Sequence, residues 1–488
     1  MPLLAGRIIF LLFLLLLSTV GAQDDSAVYR AVECPASIEL NAGDDQFRIA
    51  CGRASLPENR TERENSRRVE LFVLRIKPIE NIGNAPIMHL AGGPGDASSA
   101  DLAFWLGSPI AEIYEIILVD QRGTGLSLPS LDCPEKSDAD DESWIRDCRR
   151  RLTEQGIDLS QYQSMPIVWD IYDLLVALEL DQVNLYGNSY GSRLALLLST
   201  IAPQRIRSMA LDGVYPPPRY DMAELAYNAD QSLERLFEDC RADAACHSLY
   251  PDLRETFYRV VSKMNAEPPE LYHLGESTGW TLSGDQFLAW TIGALRHKEA
   301  LPILPTLIAA FDAGVYDQFV LVDAFVKAPH WHDLDFRSEG VELGARCSES
   351  QTLAGRERSS DFEWEIEEEI ARLLEPLVQH LLDQCEIWDV SPAPSLIAQP
   401  VASDVPALLL SGAYDPATPP HWAAFAKAQL SKSWSFVFPN LGHGVLESEA
   451  CAAWLIRVFL ASPTEEPAAE CFLDLGPPQF VEQEMDKS

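Results

Sequence analysis

Basic residues are scarce in this sequence, and their scarcity limits the partners that the protein can have. The chain has 37 lysines and arginines against 74 aspartates and glutamates, for a formal net charge of −37. The excess negative charge is spread over the whole length and does not form a tail. Such a surface repels nucleic acids and anionic membranes, so we expect neither as a partner. The charge would suit peptides with a free amino terminus, although solubility alone also explains it.

Long hydrophobic runs are absent beyond the start of the chain. The first residues contain Arg7, then an unbroken apolar run over residues 8–17 and small residues ahead of Gln23, the pattern of a secretory signal peptide. No later stretch approaches the roughly 18 apolar residues of a membrane-spanning helix. No cysteine directly follows the apolar run, so a lipoprotein anchor is not indicated. We therefore expect residues 1–22 to be cleaved, leaving a periplasmic or secreted protein without stable membrane association; an uncleaved anchor is the alternative.

Cysteine is absent from the predicted signal peptide, and all ten cysteines lie beyond it. An even number of cysteines in an oxidising compartment indicates disulfides. Spacing does not determine the connectivity, since ten cysteines allow about 945 pairings if the counting for smaller sets is extended. Pairing between sequence neighbours is our hypothesis, and it gives four pairs with a fifth left by elimination: Cys34–Cys51, Cys133–Cys148, Cys240–Cys246 and Cys451–Cys471, then Cys347–Cys385.

The chain shows no internal repeat and no low-complexity block, and its 488 residues suggest one large domain with an insertion, or two domains. Short apolar strands alternate with helical patterns before residue 215 and again after residue 400, which predicts a parallel sheet with helices on both faces. Between them lie amphipathic helices without convincing strand alternation. We predict a mostly parallel α/β fold interrupted by a helical cap, with these boundaries: signal peptide 1–22, lead-in 23–68, core 69–214, cap 215–400, core 401–475 and tail 476–488.

A candidate nucleophile lies where the strand-like run 183–188 turns into an apolar helix. The turn reads Gly187-Asn188-Ser189-Tyr190-Gly191, a G-x-S-x-G sequence between a strand and a helix. The two glycines remove side chains where the turn is tightest. This leaves the Ser189 hydroxyl exposed and the Tyr190 N–H free at the helix start. The motif alone is weak evidence, because glycine and serine are common in ordinary turns.

Two later loops supply the partners that a nucleophilic serine needs. A serine hydroxyl requires a base to take its proton and a carboxylate to orient the base. Asp415 follows the apolar run 407–411, and His443 lies between two glycines after the run 434–438. Either residue alone could belong to an ordinary turn. Because each follows its own strand in the chain order of α/β-hydrolases, we predict a Ser189, Asp415 and His443 triad.

The loop Gly92-Gly93-Pro94-Gly95 follows another short strand and offers backbone N–H groups to the same site. We predict that the N–H groups of Gly93 and Tyr190 form an oxyanion hole, which stabilises the negative charge of a tetrahedral intermediate. A purely structural turn is the alternative.

These segments together resemble the prolyl and tripeptidyl aminopeptidase branch of the α/β-hydrolases, over about residues 69–460. The matching segments are Gly92-Gly-Pro-Gly95, Val119-Asp-Gln-Arg-Gly-Thr-Gly-Leu-Ser127, Gly187-Asn-Ser-Tyr-Gly191, Leu211-Asp-Gly-Val214, Asp415-Pro-Ala-Thr-Pro419 and Gly442-His-Gly444. The resemblance implies an α/β-hydrolase fold and removal of residues from a free peptide amino terminus beneath the cap. One departure is Leu441-Gly442, where relatives often have proline or another residue before the histidine.

The resemblance also implies roles for three further residues. Cap acids of relatives bind the substrate's ammonium group, and Cys347-Ser-Glu349 carries that role to Glu349; a surface or disulfide-flanking glutamate is the alternative. The corresponding cysteine of relatives need not be paired, which weakens the Cys347–Cys385 hypothesis. Asp120 and Arg122 are expected to hold the loop beneath the site by hydrogen bonds and a salt bridge.

A metal site is considered only at His330-Trp331-His332-Asp333, because His-x-His on a strand places two imidazoles on one side. No third ligand is identifiable by spacing, so a cluster on the cap surface is the simpler interpretation. Serine hydrolysis needs no metal, and we expect none and no other cofactor.

The sequence thus predicts a serine aminopeptidase that releases proline or a short di- or tripeptide from free peptide amino termini. The nearest alternative is a secreted carboxylesterase with the same triad and no ammonium pocket. A non-catalytic binding protein on the same fold is the third hypothesis.

Overall fold

A computed structural model describes residues 27–39, 46–62, 66–79, 84–136, 142–273, 276–316, 337–353 and 366–481. The predicted signal peptide and the His330–Asp333 cluster lie outside the described residues. Within the described ranges, no helix is both long and apolar enough to cross a membrane.

The strands in the described residues are β1 (Val28–Val32), β2 (Phe47–Pro57), β3 (Arg68–Pro78), β4 (Ile87–Leu90), β5 (Ile116–Val119), β6 (Val183–Asn188), β7 (Ile206–Asp212), β8 (Glu270–His273), β9 (Glu276–Thr281), β10 (Ala407–Gly412) and β11 (Ser433–Phe438). Nine of them form one sheet in the order β1-β2-β3-β5-β4-β6-β7-β10-β11. The pairs from β5 to β11 are parallel, whereas β1, β2 and β3 are antiparallel to their neighbours. The prediction of a mostly parallel α/β-hydrolase sheet is therefore confirmed.

The α-helices in the described residues are α1 (Ala36–Glu39), α2 (Leu102–Leu106), α3 (Ser143–Glu154), α4 (Ser164–Ala177), α5 (Tyr190–Ile201), α6 (Asp221–Ala242), α7 (Ala244–Leu249), α8 (Leu253–Ala266), α9 (Gly284–Ala294), α10 (Leu304–Asp312), α11 (Glu339–Leu353), α12 (Glu368–Trp388), α13 (Pro420–Lys427), α14 (Val445–Ser448), α15 (Ala450–Ala461) and α16 (Glu470–Leu473).

Apolar side chains project from both faces of the central strands and form two separate cores. On β10, Leu409 packs into one core with α4 and α5, while Leu408 and Leu410 pack into the other with α2 and α15. Successive strand residues point to opposite faces, so a strand buried on both faces reads as a continuous apolar run. This is why the short runs in the sequence indicated central parallel strands.

The segment predicted as a cap, residues 215–400, contains helices α6 to α12 among its described residues, and an apolar cluster around Phe257, Phe287 and Phe311 lies mainly within it. It also contains the antiparallel pair β8 and β9, which the sequence analysis missed. That hairpin is short and exposed, with Trp280 72% accessible, and it lacks the alternation by which a half-buried strand is recognised.

All five proposed cysteine pairs are present as disulfides, including the pair left by elimination. The bond between Cys347 and Cys385 joins α11 to α12, and the bond between Cys240 and Cys246 joins α6 to α7. Sequence neighbours pair because consecutive elements of this fold pack against each other.

The loop after β5 is fixed by buried polar contacts, as predicted. The Asp120 carboxylate accepts hydrogen bonds from the Ser99 N–H, the Ser99 hydroxyl and the Leu126 N–H. Burial raises the pKa of Asp120 to about 6, although these hydrogen bonds act to lower it. Arg122 is fully buried and forms a bidentate pair with Asp170, at 2.6 and 2.7 Å.

We expect Asp170→Asn to lower the free energy of unfolding by about 3–5 kcal/mol, because it leaves buried Arg122 without its counter-charge. Urea denaturation followed by circular dichroism measures the loss. The matched control is Arg30→Ala, which removes an exposed pair with Glu70 and should cost no more than about 1 kcal/mol. Equal losses in the two variants would contradict a special role for the buried pair.

Candidate active site

Ser189 occupies a sharp turn between β6 and α5. Its backbone has φ 52° and ψ −122°, a conformation that residues with side chains rarely adopt and that costs free energy. A Cβ at Gly191 would lie 1.8 Å from the Leu90 carbonyl oxygen, and one at Gly187 would lie 2.6 Å from the Gly191 oxygen. The two glycines are therefore needed for the turn to pack against β4. Ser189 itself remains partly accessible.

The glycine loop lies directly beside this serine. A Cβ at Gly92 would lie 3.1 Å from the Cβ of Ser189, and Gly93 has a left-handed φ of 100°. The Gln121 side chain donates to the Ala91 carbonyl at 2.9 Å and so supports the start of the loop. Among the turn and loop hydrogen bonds of the described residues, none to a backbone carbonyl comes from the Gly93 or the Tyr190 N–H. That leaves both predicted oxyanion donors outside these backbone bonds.

Asp415 and His443 lie on the loops after β10 and β11, at the same edge of the sheet. The His443 Nδ1 lies 2.7 Å from an Asp415 carboxylate oxygen. The Asp415 carboxylate is fully buried and also accepts from the Thr418 hydroxyl at 2.7 Å. Burial alone would raise the pKa of Asp415, but the neighbouring His443 and the Thr418 hydrogen bonds lower it to about 2. Asp415 is therefore ionised in the folded protein at neutral pH.

The end of β7 links the serine turn to residues 439–444, which we call the histidine loop. The Ser189 N–H donates to the Asp212 carbonyl at 2.8 Å. A Cβ at the next residue, Gly213, would lie 3.3 Å from Cε1 of His443. The end of this strand thus contacts both the candidate nucleophile and the candidate base.

Asp212 contacts the segments that carry Ser189 and His443, a role that the sequence did not predict. Its carboxylate accepts hydrogen bonds from the N–H groups of Val445 and Leu446, both at 2.9 Å, and from the Tyr186 hydroxyl at 3.0 Å. These two N–H groups begin the helix that follows His443, so Asp212 fixes the position of the histidine loop. The only sequence signal was an acidic residue ending an apolar strand within Leu211-Asp-Gly-Val214.

Glu349 has a partner other than the expected substrate ammonium group. Its side chain on α11 is buried and pairs with the fully buried Arg193 of α5 at 3.0 Å. It also accepts from the Ser164 hydroxyl, which lies 2.7 Å from the Tyr190 hydroxyl. A buried guanidinium needs a counter-charge, and Glu349 supplies it. In this structure the carboxylate is thus paired inside the protein, and its expected role toward a substrate ammonium group stays a prediction.

One cluster with the spacing of metal ligands occurs in the described residues, and its sulfurs are not free to bind a metal. Among the described residues, the grouping with ligand-like spacing is Cys133, Glu135 and Cys148, but both sulfurs are joined in a disulfide. A metal binds the thiolate form of cysteine, which a disulfide does not provide.

A family model described as the alpha/beta hydrolase fold matches residues 85–450 of the chain. The chain is 22% identical to serine protease Hip1 of Mycobacterium tuberculosis, covering 86% of this chain and 87% of that protein. It is 26% identical to a proline iminopeptidase of Xylella fastidiosa, covering 42% of this chain and 55% of that protein. Among solved structures, a thermophilic esterase from Thermogutta terrifontis is similar with a TM-score of 0.38 and 15% identity, covering 85% of this chain and 99% of that chain.

We expect Glu349→Gln to lower the free energy of unfolding by about 3–5 kcal/mol, because Arg193 would remain buried and unpaired. Urea denaturation at neutral pH measures this loss. Glu449→Gln is the control, since Glu449 pairs with the partly exposed Lys298 and should cost no more than about 1 kcal/mol. A Glu349→Gln protein as stable as the wild type, with turnover lost only on free-amine substrates, would support the ammonium-binding role.

Proposed function

Because the chain belongs to the α/β-hydrolase family, we propose that it is a serine aminopeptidase that releases proline or a short di- or tripeptide from free peptide amino termini. The observation that carries the proposal is the 2.7 Å contact between His443 and buried Asp415, on loops at the same sheet edge as the Ser189 turn. The names of two relatives, a serine protease and a proline iminopeptidase, favour peptides as substrates.

The proposed reaction is acyl transfer through Ser189. The Ser189 hydroxyl attacks the scissile carbonyl carbon while His443 takes its proton, and Asp415 keeps the imidazole oriented. The N–H groups of Gly93 and Tyr190 donate to the oxyanion of the tetrahedral intermediate. His443 then protonates the leaving amine, and water repeats the cycle on the acyl-enzyme. The low pKa of Asp415 keeps this carboxylate ionised throughout, so its titration does not limit turnover at ordinary pH.

A secreted carboxylesterase is the second candidate, and one observation favours it. The acid expected to bind the substrate ammonium group, Glu349, is already paired with Arg193. An esterase needs the same triad and oxyanion hole but no ammonium site. A non-catalytic binding protein is the weakest candidate, because it gives no reason for the strained Ser189 turn beside an aspartate–histidine pair.

We also propose that the protein works in the periplasm or outside the cell, with peptides as its partners and no nucleic acid. Five disulfides support an oxidising compartment, since such bonds are rare in the cytosol. The apolar run over residues 8–17 fits export.

The triad is tested with Ser189→Ala and Asp415→Asn. We expect Ser189→Ala to lose turnover and labelling by a fluorophosphonate probe, and Asp415→Asn to lower kcat roughly 10⁴-fold, because asparagine favours the wrong histidine tautomer. Circular dichroism of each variant controls for folding. Labelling that persists in Ser189→Ala would contradict the assignment of the nucleophile, and no labelling of the wild type would favour a binding protein.

The substrate class is tested with chromogenic amides of Pro, Ala, Ala-Ala and Ala-Ala-Pro, each with a free and an acetylated amino terminus, beside a short-chain ester. We expect only the free-amine amides to be cleaved efficiently, because an exopeptidase selects the ammonium group. The amide that is cleaved fastest identifies how many residues are released per cut. Equal rates with blocked substrates, or turnover of the ester alone, would favour the carboxylesterase.

A further inference from the structure

The cap segment contacts the histidine loop with its backbone as well as with side chains. The histidine loop, residues 439–444, lies between β11 and α14. The N–H of His443 donates to the carbonyl oxygen of Arg296, which follows α9 in the cap, at 3.1 Å. The candidate base is therefore held directly by a peptide group of the cap.

Gly442 permits this contact. A Cβ at Gly442 would lie 2.2 Å from the Leu295 carbonyl oxygen and 2.5 Å from the Arg296 carbonyl carbon. On its other side, a Cβ at Gly412 of β10 would lie 1.8 Å from the Gly442 oxygen. The residue before His443 is thus enclosed between the cap and the sheet. This enclosure is a physical reason for the glycine at position 442, where the sequence differs from the pattern of the family that it resembles.

Lys298 contacts the far end of α14, the short helix that follows this loop. Its ammonium group donates to the Ser448 carbonyl and to the Glu449 carboxylate, both at 3.0 Å. Ser448 ends α14, the short helix whose first two N–H groups are bound by Asp212 of the core. The segment carrying His443 is therefore held from the sheet side by Asp212 and from the cap side by residues 295–298.

The loop with the predicted oxyanion donor Gly93 has the same kind of contact. The N–H of Ser338, from the cap, donates to the Gly95 carbonyl at 2.9 Å, and Arg337 pairs with Asp96 at 2.7 Å. A Cβ at Gly95 would lie 2.6 Å from the Ser338 oxygen. Two different cap segments thus rest on glycines of two different active-site loops.

We propose that cap residues 295–298 position the catalytic histidine. The Arg296 carbonyl and the Lys298 ammonium group hold His443 in place. Packing of the cap against Gly442 is therefore required for turnover of every substrate. The inference rests on the proposed function, in which His443 is the general base. Arg296 and Lys298 act through His443 as positioning residues and need not touch the substrate.

This inference separates two roles that a cap can have. If the cap only selects substrates, changing it alters KM for peptides. The kinetics of an ester too small to contact the cap then stay the same. A cap that positions His443 changes kcat for peptides and for the small ester alike, because both need the same base. The division of an effect between KM and kcat therefore distinguishes the two roles.

The test uses the full mature chain with Lys298→Met, assayed on p-nitrophenyl acetate and on the best free-amine amide. We expect kcat to fall about tenfold on both substrates, with KM within about twofold, because a hydrogen-bonded charge that holds the loop is lost. The rate of fluorophosphonate labelling of Ser189 should fall by a similar factor. The control is Arg259→Met, which removes an exposed ion pair with Asp312 inside the cap and should leave every rate unchanged.

A second pair of variants tests the backbone contact. Gly442→Ala should lower kcat on the ester more than Lys298→Met does, because the added methyl group displaces the cap backbone from the loop. Gly293→Ala is its matched control. Gly293 lies on α9, the cap helix that Arg296 follows, and a Cβ there meets nothing within 4 Å. Melting temperatures and circular dichroism show whether each variant is folded at the assay temperature.

Three outcomes would overturn the inference. Folded Lys298→Met with wild-type kcat on the ester would show that the contact does not position His443. A rise in KM confined to peptides would show that the cap only selects substrates. A wild-type protein that neither turns over the ester nor reacts with the fluorophosphonate would remove the proposed function itself, and that result is visible before any cap variant is assayed.

Discussion

Asp212 connects two parts of the chain that are far apart in sequence, and the candidate site depends on this connection. Its carbonyl oxygen fixes the Ser189 turn, and its carboxylate fixes the helix that begins after His443. An aspartate at the end of a central strand can do both, because its backbone belongs to the sheet while its side chain reaches the adjacent loop. Asp212 therefore contacts both the turn of the candidate nucleophile and the segment that follows the candidate base.

The residues predicted from sequence were those whose surroundings are local. Ser189, Asp415 and His443 each end an apolar run in a recognisable turn, and the carboxyl ends of parallel strands meet at one edge of a sheet. Glu349 was different, because its partner Arg193 lies on another helix and no pattern near either residue reveals the pair. Asp212 was overlooked for the same reason, since its contacts to residues 445 and 446 exist only in the folded chain.

The Arg193–Glu349 pair also shows how far the cap extends into the protein. Glu349 belongs to α11 but is buried beside α5, the helix that begins at Tyr190. The Ser164 hydroxyl then links Glu349 to the Tyr190 side chain, on the residue whose N–H is a proposed oxyanion donor. The predicted cap segment therefore contributes buried polar groups that reach the helix beginning at Tyr190, in the sheet-bearing part of the chain.

The disulfides have a consequence for biosynthesis. Each cysteine is bonded to its immediate neighbour in the order of the cysteines, so no bond encloses or crosses another. A chain threaded amino terminus first into an oxidising compartment would present each partner before the next cysteine arrived. Simple sequential oxidation would then give the native set without isomerisation of mispaired bonds. None of the five bonds joins residues 215–400 to the flanking segments, so the contacts between these parts of the protein are non-covalent apart from the two chain connections.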